Sequence, residues 1–148
     1  MVETSPIFDI LGTGLLSAEV EQAFLEWCVV QTVRPAFAHA LTTHGLVPEG
    51  RLMMAATNAE SVAKLSLKIG EGARGSMFRQ LALWIRRATQ RDNPRAAWEA
   101  AREAAIWSLI YSQRVQDVNS QVEQYQQLDR KIRQTHASRL RQLAGFSG

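Results

Sequence analysis

Residues 95–144 read RAAWEAAREAAIWSLIYSQRVQDVNSQVEQYQQLDRKIRQTHASRLRQLA, fifty residues without a glycine or proline. The stretch opens on Asp92-Asn93-Pro94 and closes at Gly145. Asn is a favoured helix cap, proline fits the first helical turn, and glycine stops a helix by taking a left-handed conformation. This is a long C-terminal helical arm. Unbroken, it would extend about 75 Å at about 1.5 Å per residue, roughly twice the diameter of a compact domain of this size. It therefore either folds back or projects. Asp117-Val118-Asn119-Ser120 is a run of weak helix formers at which the arm can bend or reverse.

The two halves of the arm differ. Trp98, Ala101, Ala105, Trp107, Leu109 and Ile110 make the first half apolar enough to pack in a bundle. Beyond Ser120, Val122, Tyr125, Leu128, Ile132, Leu140 and Leu143 form a thin apolar stripe among glutamines and arginines. A thin stripe with polar flanks suits a partner helix better than a bulky core, and it is not a sustained heptad.

Upstream of the arm, caps and breakers divide the chain. Ser17 precedes Ala18-Glu19-Val20-Glu21, a helix start with acids at its positive end. Val20, Phe24, Trp27, Val30, Val33, Phe37 and Leu41 then recur at helical spacing, with Pro35 expected to kink or split the helix. His44-Gly45 closes it. A second helix is expected over 48–69, with Asn58 as a possible local break and Gly70 as its end. Ser76–Arg91 is strongly amphipathic, with Met77, Phe78, Leu81, Trp84, Ile85 and Ala88 on one side. The expectation is an all-α fold, a helical bundle of four to five helices with a long C-terminal helical arm. It forms a single α-helical domain over 1–148: an N-terminal strap over 1–16, the bundle core over 17–116 and a polar, basic arm over 117–144, with 145–148 as a frayed end.

A chain of 148 residues with 46% apolar residues and mean hydropathy −0.17 is long enough and apolar enough to bury its own core. Its apolar runs are too short to span a bilayer, and Met-Val-Glu-Thr-Ser-Pro does not resemble a secretory signal, so a cytoplasmic location is expected. The single cysteine, Cys28, lies in an apolar run and reads as a small buried hydrophobe. Charge is uneven along the chain: residues 1–40 carry −4, residues 41–128 carry +3 and residues 129–148 carry +4. An acidic start with a basic tail permits head-to-tail association, and the net +3 permits a polyanion partner.

Gly70-Glu71-Gly72-Ala73-Arg74-Gly75 matches the phosphate-binding spacing G-x-G-x-x-G, and Leu65-Ser66-Leu67-Lys68-Ile69 before it alternates like a strand. A dinucleotide cradle needs a parallel sheet that no other segment supplies. A flexible helix connection, or a glycine loop holding one phosphate, are the other readings. Lys64, Lys68, Arg74, Arg79, Arg86 and Arg87 are the candidate nucleic-acid-binding residues, since cations along a shared surface neutralise phosphates. Paired with nearby acids, the same residues form an ordinary solvated face. Val122, Tyr125, Arg130, Arg133 and Arg139 are the candidate partner-binding residues on the arm. The four tryptophans lie on apolar faces and are mostly core.

His39, His44 and His136 are scattered, and no metal-ligand spacing or nucleophile elbow occurs. No catalytic residue, metal, cofactor or small-molecule substrate is inferred. The expected function is that of a non-enzymatic α-helical accessory or assembly subunit of a larger complex, with a protein partner or self-association and nucleic acid as a further contact. In size and charge the chain is similar to small basic helical subunits of bacterial RNA-guided defence complexes, although no shared motif carries that likeness. The main alternative is a stand-alone helical protein-binding protein, such as an immunity or regulatory partner; Asn93–Arg102 loosely resembles the Ala- and Trp-rich helices of immunity proteins over about ten residues, a pattern that Ala-rich helices reach by chance. A phage or virion structural component is a third reading.

Overall fold

Ser17 accepts a hydrogen bond from the Val20 amide at 3.1 Å and so caps the first helix, α1, Ala18–Trp27. The computed structural model describes residues 6–72, 76–113 and 117–145. α1 runs on without a break into a π-helical segment, Cys28–Val33, and then into α2, Arg34–Thr43. Pro35 accounts for the change of pitch. It has no amide hydrogen, and its ring collides with the carbonyl four residues back in an α-helix. In the wider turn the Arg34 amide reaches back five residues to the Val29 carbonyl. The helix passes the proline instead of splitting.

The helix expected over 48–69 is two helices, α3, Val47–Ala55, and α4, Ala59–Gly72. Ala56 is extended, and Asn58 caps α4 by accepting from the Ser61 amide at 2.8 Å. A carboxylate oxygen of Glu26, on α1, accepts from the Ala59 amide at 2.6 Å and adds a second, tertiary cap. Gly70 does not end the helix, and the strand-like alternation of 65–69 is helical. A Cβ on Gly70 would lie 3.2 Å from the Arg79 Cα and 3.3 Å from the Phe78 carbonyl oxygen. The glycine is there so that α4 and α5, Ser76–Ala88, can touch. Gly70 and Gly72 thus belong to a helix rather than to a phosphate loop, and residues 73–75 lie outside the described residues.

Asn93 caps α6, Pro94–Ser112, by accepting from the Ala96 amide at 3.1 Å. The fifty-residue arm is then interrupted. Asp117 caps a separate helix, α7, Val118–Ala144, by accepting from the Ser120 amide at 3.1 Å. α7 folds back onto α6, α1 and the N-terminal 3-10 turn Pro6–Ile10, and Gly145 stops it at φ +78°. Ile132, His136, Ala137 and Leu140 are buried on its inner face.

Among the described residues the fold is all-helical, with six helices when α1, the π-helical segment and α2 are taken as one rod. The break at 56–58 supplies the helix beyond the expected four or five. Phe24, Phe37, Met53, Leu81, Ile85, Trp98, Ile106, Ile110 and Leu140 fill the core. From the strap, Ile7, Phe8 and Leu11 are buried, and Phe8 stacks on Trp98 with ring centroids 4.0 Å apart. Residues 1–5 and 146–148, including most of the expected frayed end, lie outside the described residues.

Candidate functional site

The polar residues of the interior gather where α7 meets α6. Trp98 donates its indole N–H to His136 Nδ1 at 3.0 Å. Indole nitrogen is a donor only, so Nδ1 carries no hydrogen and the imidazole proton sits on Nε2. Nε2 lies 3.1 Å from the Thr32 hydroxyl, which therefore accepts from it. His136 is fully buried, and burial, helped by the Arg102 cation, pushes its pKa down to about 3. It is a neutral relay between a tryptophan on α6 and a threonine in the π-helical segment.

One turn along the helices, Arg102 is 8% exposed and donates to Asp129 at 2.5 Å and to the Tyr125 oxygen at 3.4 Å. Burial opposes its charge, but Asp129 and Tyr125 outweigh that effect and hold the guanidinium above its ordinary pKa. Asp129 also accepts from Arg133 at 2.9 Å. The Tyr125 hydroxyl donates to Glu103, which accepts from the Trp107 indole at 3.0 Å as well. Burial, with the Glu103 bond, raises the Tyr125 pKa. Arg95, Arg102 and Arg133 lie 5.4–5.6 Å from the Trp98 ring. Arg102, Glu103, Tyr125, Asp129 and Arg133 are joined by hydrogen bonds across α6 and α7, with Arg102 Nε left unpartnered, and the result is a seam between α7 and the bundle.

That seam absorbs part of the expected partner surface. Tyr125 and Arg133 are bonded within it, and Arg139 lies 5.5 Å from the Trp27 ring and donates to Gln142 at 3.0 Å. The stripe from Leu128 through Ile132 and Leu140 to Leu143 packs on this chain's own core rather than facing outward. Val122 and Arg130 remain exposed. Val122 is 51% exposed and Val118, one turn before it, 71%. They border a hollow of about 530 Å³ between α6 and α7, whose other walls include Trp107, Tyr125 and Glu103.

The expected nucleic-acid surface divides. Lys64 pairs with Glu60 at 3.0 Å, and Arg87 with Asp92 at 3.1 Å and Gln90 at 3.0 Å. Lys68, Arg79 and Arg86 are exposed, with no carboxylate in salt-bridge range among the described residues. Arg74 lies outside the described residues. At about 100° per residue, Gly70 faces α5 while Lys64 and Lys68 point away from it, with Glu60 and Glu71 on the arc between. Arg79 and Arg86 flank Leu83 on α5. The sequence-predicted cations thus form two clusters separated by acids.

A further cleft, about 370 Å³ in volume, opens between the π-helical segment, the start of α2, α6 and α7. Trp27, Leu109, Leu128 and Ile132 supply apolar walls, and Thr32 and Lys131 supply polar groups. Its lining comes from segments about a hundred residues apart, so no local spacing announces it. Among the described residues no group of three or more His, Cys, Asp or Glu is placed to hold a metal ion. Cys28 is fully buried, and burial pushes its thiol pKa up. Family models, curated proteins and solved structures were compared with the chain, and none matches.

Proposed function

We propose that this chain is a non-enzymatic helical accessory subunit that assembles with a protein partner through the first turns of α7. The observation that carries the reading is the exposed pair Val118 and Val122 beside the Trp107–Tyr125 hollow. Apolar surface withdrawn from water contributes roughly 25 cal/mol per Å², and buried aromatic residues ringed by polar groups are the usual anchors of protein contacts. Trp107 and Tyr125 beside the valine pair are both hydrogen-bonded to Glu103, which lowers the ordering entropy that docking must overcome. A cytoplasmic location fits this reading. No helix among the described residues is long and apolar enough to cross a membrane.

Substituting Val118→Asp and Val122→Asp together tests it. Both residues are exposed, so the thermal midpoint stays close to that of the parent chain, while a stoichiometric partner retained by the parent chain in size-exclusion chromatography is lost. Retention of that partner by the double variant would place the contact elsewhere. One strong partner would favour a regulatory or immunity role, whereas several copies joined head to tail would favour a virion-like component.

Lys68, Arg79 and Arg86 favour a second reading, contact with RNA or single-stranded DNA, because they are exposed with no carboxylate in salt-bridge range among the described residues. Fluorescence anisotropy of labelled RNA and DNA decides it. Binding should fall steeply with salt, and Arg79→Glu with Arg86→Glu should weaken it across sequences. Affinity unchanged by that double substitution would remove the α4–α5 surface from consideration.

A further inference from the structure

We infer that the cleft between the π-helical segment and α7 is a binding site for a small apolar carboxylate. The argument begins with the Thr32 hydroxyl. His136 Nε2 donates to it, because the Trp98 indole occupies Nδ1, so the hydroxyl oxygen is used as an acceptor. His136 is its hydrogen-bond partner, and among the described residues no acceptor takes the O–H hydrogen of Thr32. Thr32 is half-buried, so this hydrogen is open to an acceptor in the cleft, from water or from a ligand that displaces it.

The charge on the lining selects the kind of acceptor. Lys131 lines the same cleft, is exposed and has no carboxylate in salt-bridge range among the described residues. His39 is the other titratable group of the lining, and no acid contributes to it. The Lys131 ammonium and the Thr32 hydroxyl match the two oxygens of a carboxylate, and Gln31 and Thr135 add uncharged polar groups to the lining. The lining has no arginine fork of the sort that phosphate recognition favours. Trp27, Leu109, Leu128 and Ile132 are suited to an aliphatic or aromatic body, and about 370 Å³ falls at the small end of ligand pockets.

The backbone supports the same assignment. Although Pro35 explains the π-helical turn, the turn carries Thr32, which both bonds His136 and lines the cleft. The relay Trp98–His136–Thr32 occupies one lone pair of the hydroxyl and leaves its hydrogen to be donated elsewhere.

Octanoate is the probe, with octanol and octylamine as its uncharged and cationic counterparts, each titrated to about 5 mM, where a ligand of this size is expected to report weak binding. The readout is the amide nuclear magnetic resonance spectrum of the full chain. Octanoate is expected to saturate and to shift the amides of Thr32, Lys131 and Ile132, with octanol and octylamine binding at least about fivefold more weakly. Lys131→Met removes the charge at an exposed position and should lower octanoate affinity about tenfold, the loss of one charge-assisted hydrogen bond. Thr32→Ser keeps the hydroxyl and should hold affinity within about threefold of the parent. Equal binding of octanol and octanoate, unchanged affinity in Lys131→Met, or octanoate shifts confined to other surfaces would each overturn the assignment.

Discussion

His136 is the residue whose chemistry is most altered by folding. In the unfolded chain an imidazole titrates near 6.5, whereas burial and Arg102 hold the folded ring near 3. The folded state binds fewer protons between those values, so acidification favours unfolding. Its contribution is whole above about pH 6.5 and is lost as pH falls toward about 3. By pH 4.5 the loss from this group amounts to about 2–3 kcal/mol. Urea unfolding at pH 7.5 and 4.5 measures it. The parent chain should lose that much more stability across the interval than His136→Gln, which carries no titrating ring. An equal loss in both would show that carboxylates, not His136, govern acid sensitivity. The sequence marked His136 only as one of three scattered histidines, because a buried acceptor is recognised by its donor, and Trp98 lies 38 residues away.

At the scale of elements, the two glycines of α4 make opposite demands. Gly70 faces α5 at a distance that a methyl group must disturb, with backbone rather than a flexible side chain in its path. Gly70→Ala should therefore destabilise by about 1–3 kcal/mol, the usual cost of overpacking, although alanine favours a helix. A Cβ on Gly72 meets nothing within 4 Å. Gly72→Ala should be neutral or stabilise by up to about 1 kcal/mol. Thermal denaturation of the two variants distinguishes them, and equal effects would deny the close approach of α4 to α5. The spacing Gly70-x-Gly72-x-x-Gly75 resembles a nucleotide loop because both a phosphate and a neighbouring helix call for a missing side chain. Which of them is present depends on the partner of the glycine, and that partner is α5. Two caps were legible, Ser17 and Asn93, each bonding an amide three residues on, whereas Asp117 was read as a bend and is also a cap.

At the scale of the molecule, α7 is part of the core. Its inward residues Ile132, Ala137 and Leu140 are at most 6% exposed. A chain ending after Asn119 should lose its cooperative thermal transition, because it exposes the α6 surface and strands Arg102 without Asp129. Circular dichroism melting checks this. A truncated chain that melted sharply near the parent temperature would make α7 an appendage. Composition masked this role. The inner face of α7 carries a histidine and a small alanine between its aliphatic residues, and the surrounding glutamines and arginines give it the look of a surface helix. Of the arginines expected to meet a partner, Arg133 donates to Asp129 and lies over Trp98, and Arg139 lies over Trp27.

The sequence by itself determined the all-helical fold, the helix starts at Ser17 and Asn93, a disturbance of the helix at Pro35 and a point near Asp117 at which the last arm can bend. These follow from caps, breakers and periodicity, whose physics acts within about four residues. Only the tertiary structure decided that α7 is buried, that Glu26 caps a helix 33 residues away, and that Trp98, His136 and Thr32 form one relay. Those contacts depend on which surfaces meet, and a hydrogen bond between residues 104 positions apart leaves no trace in local spacing.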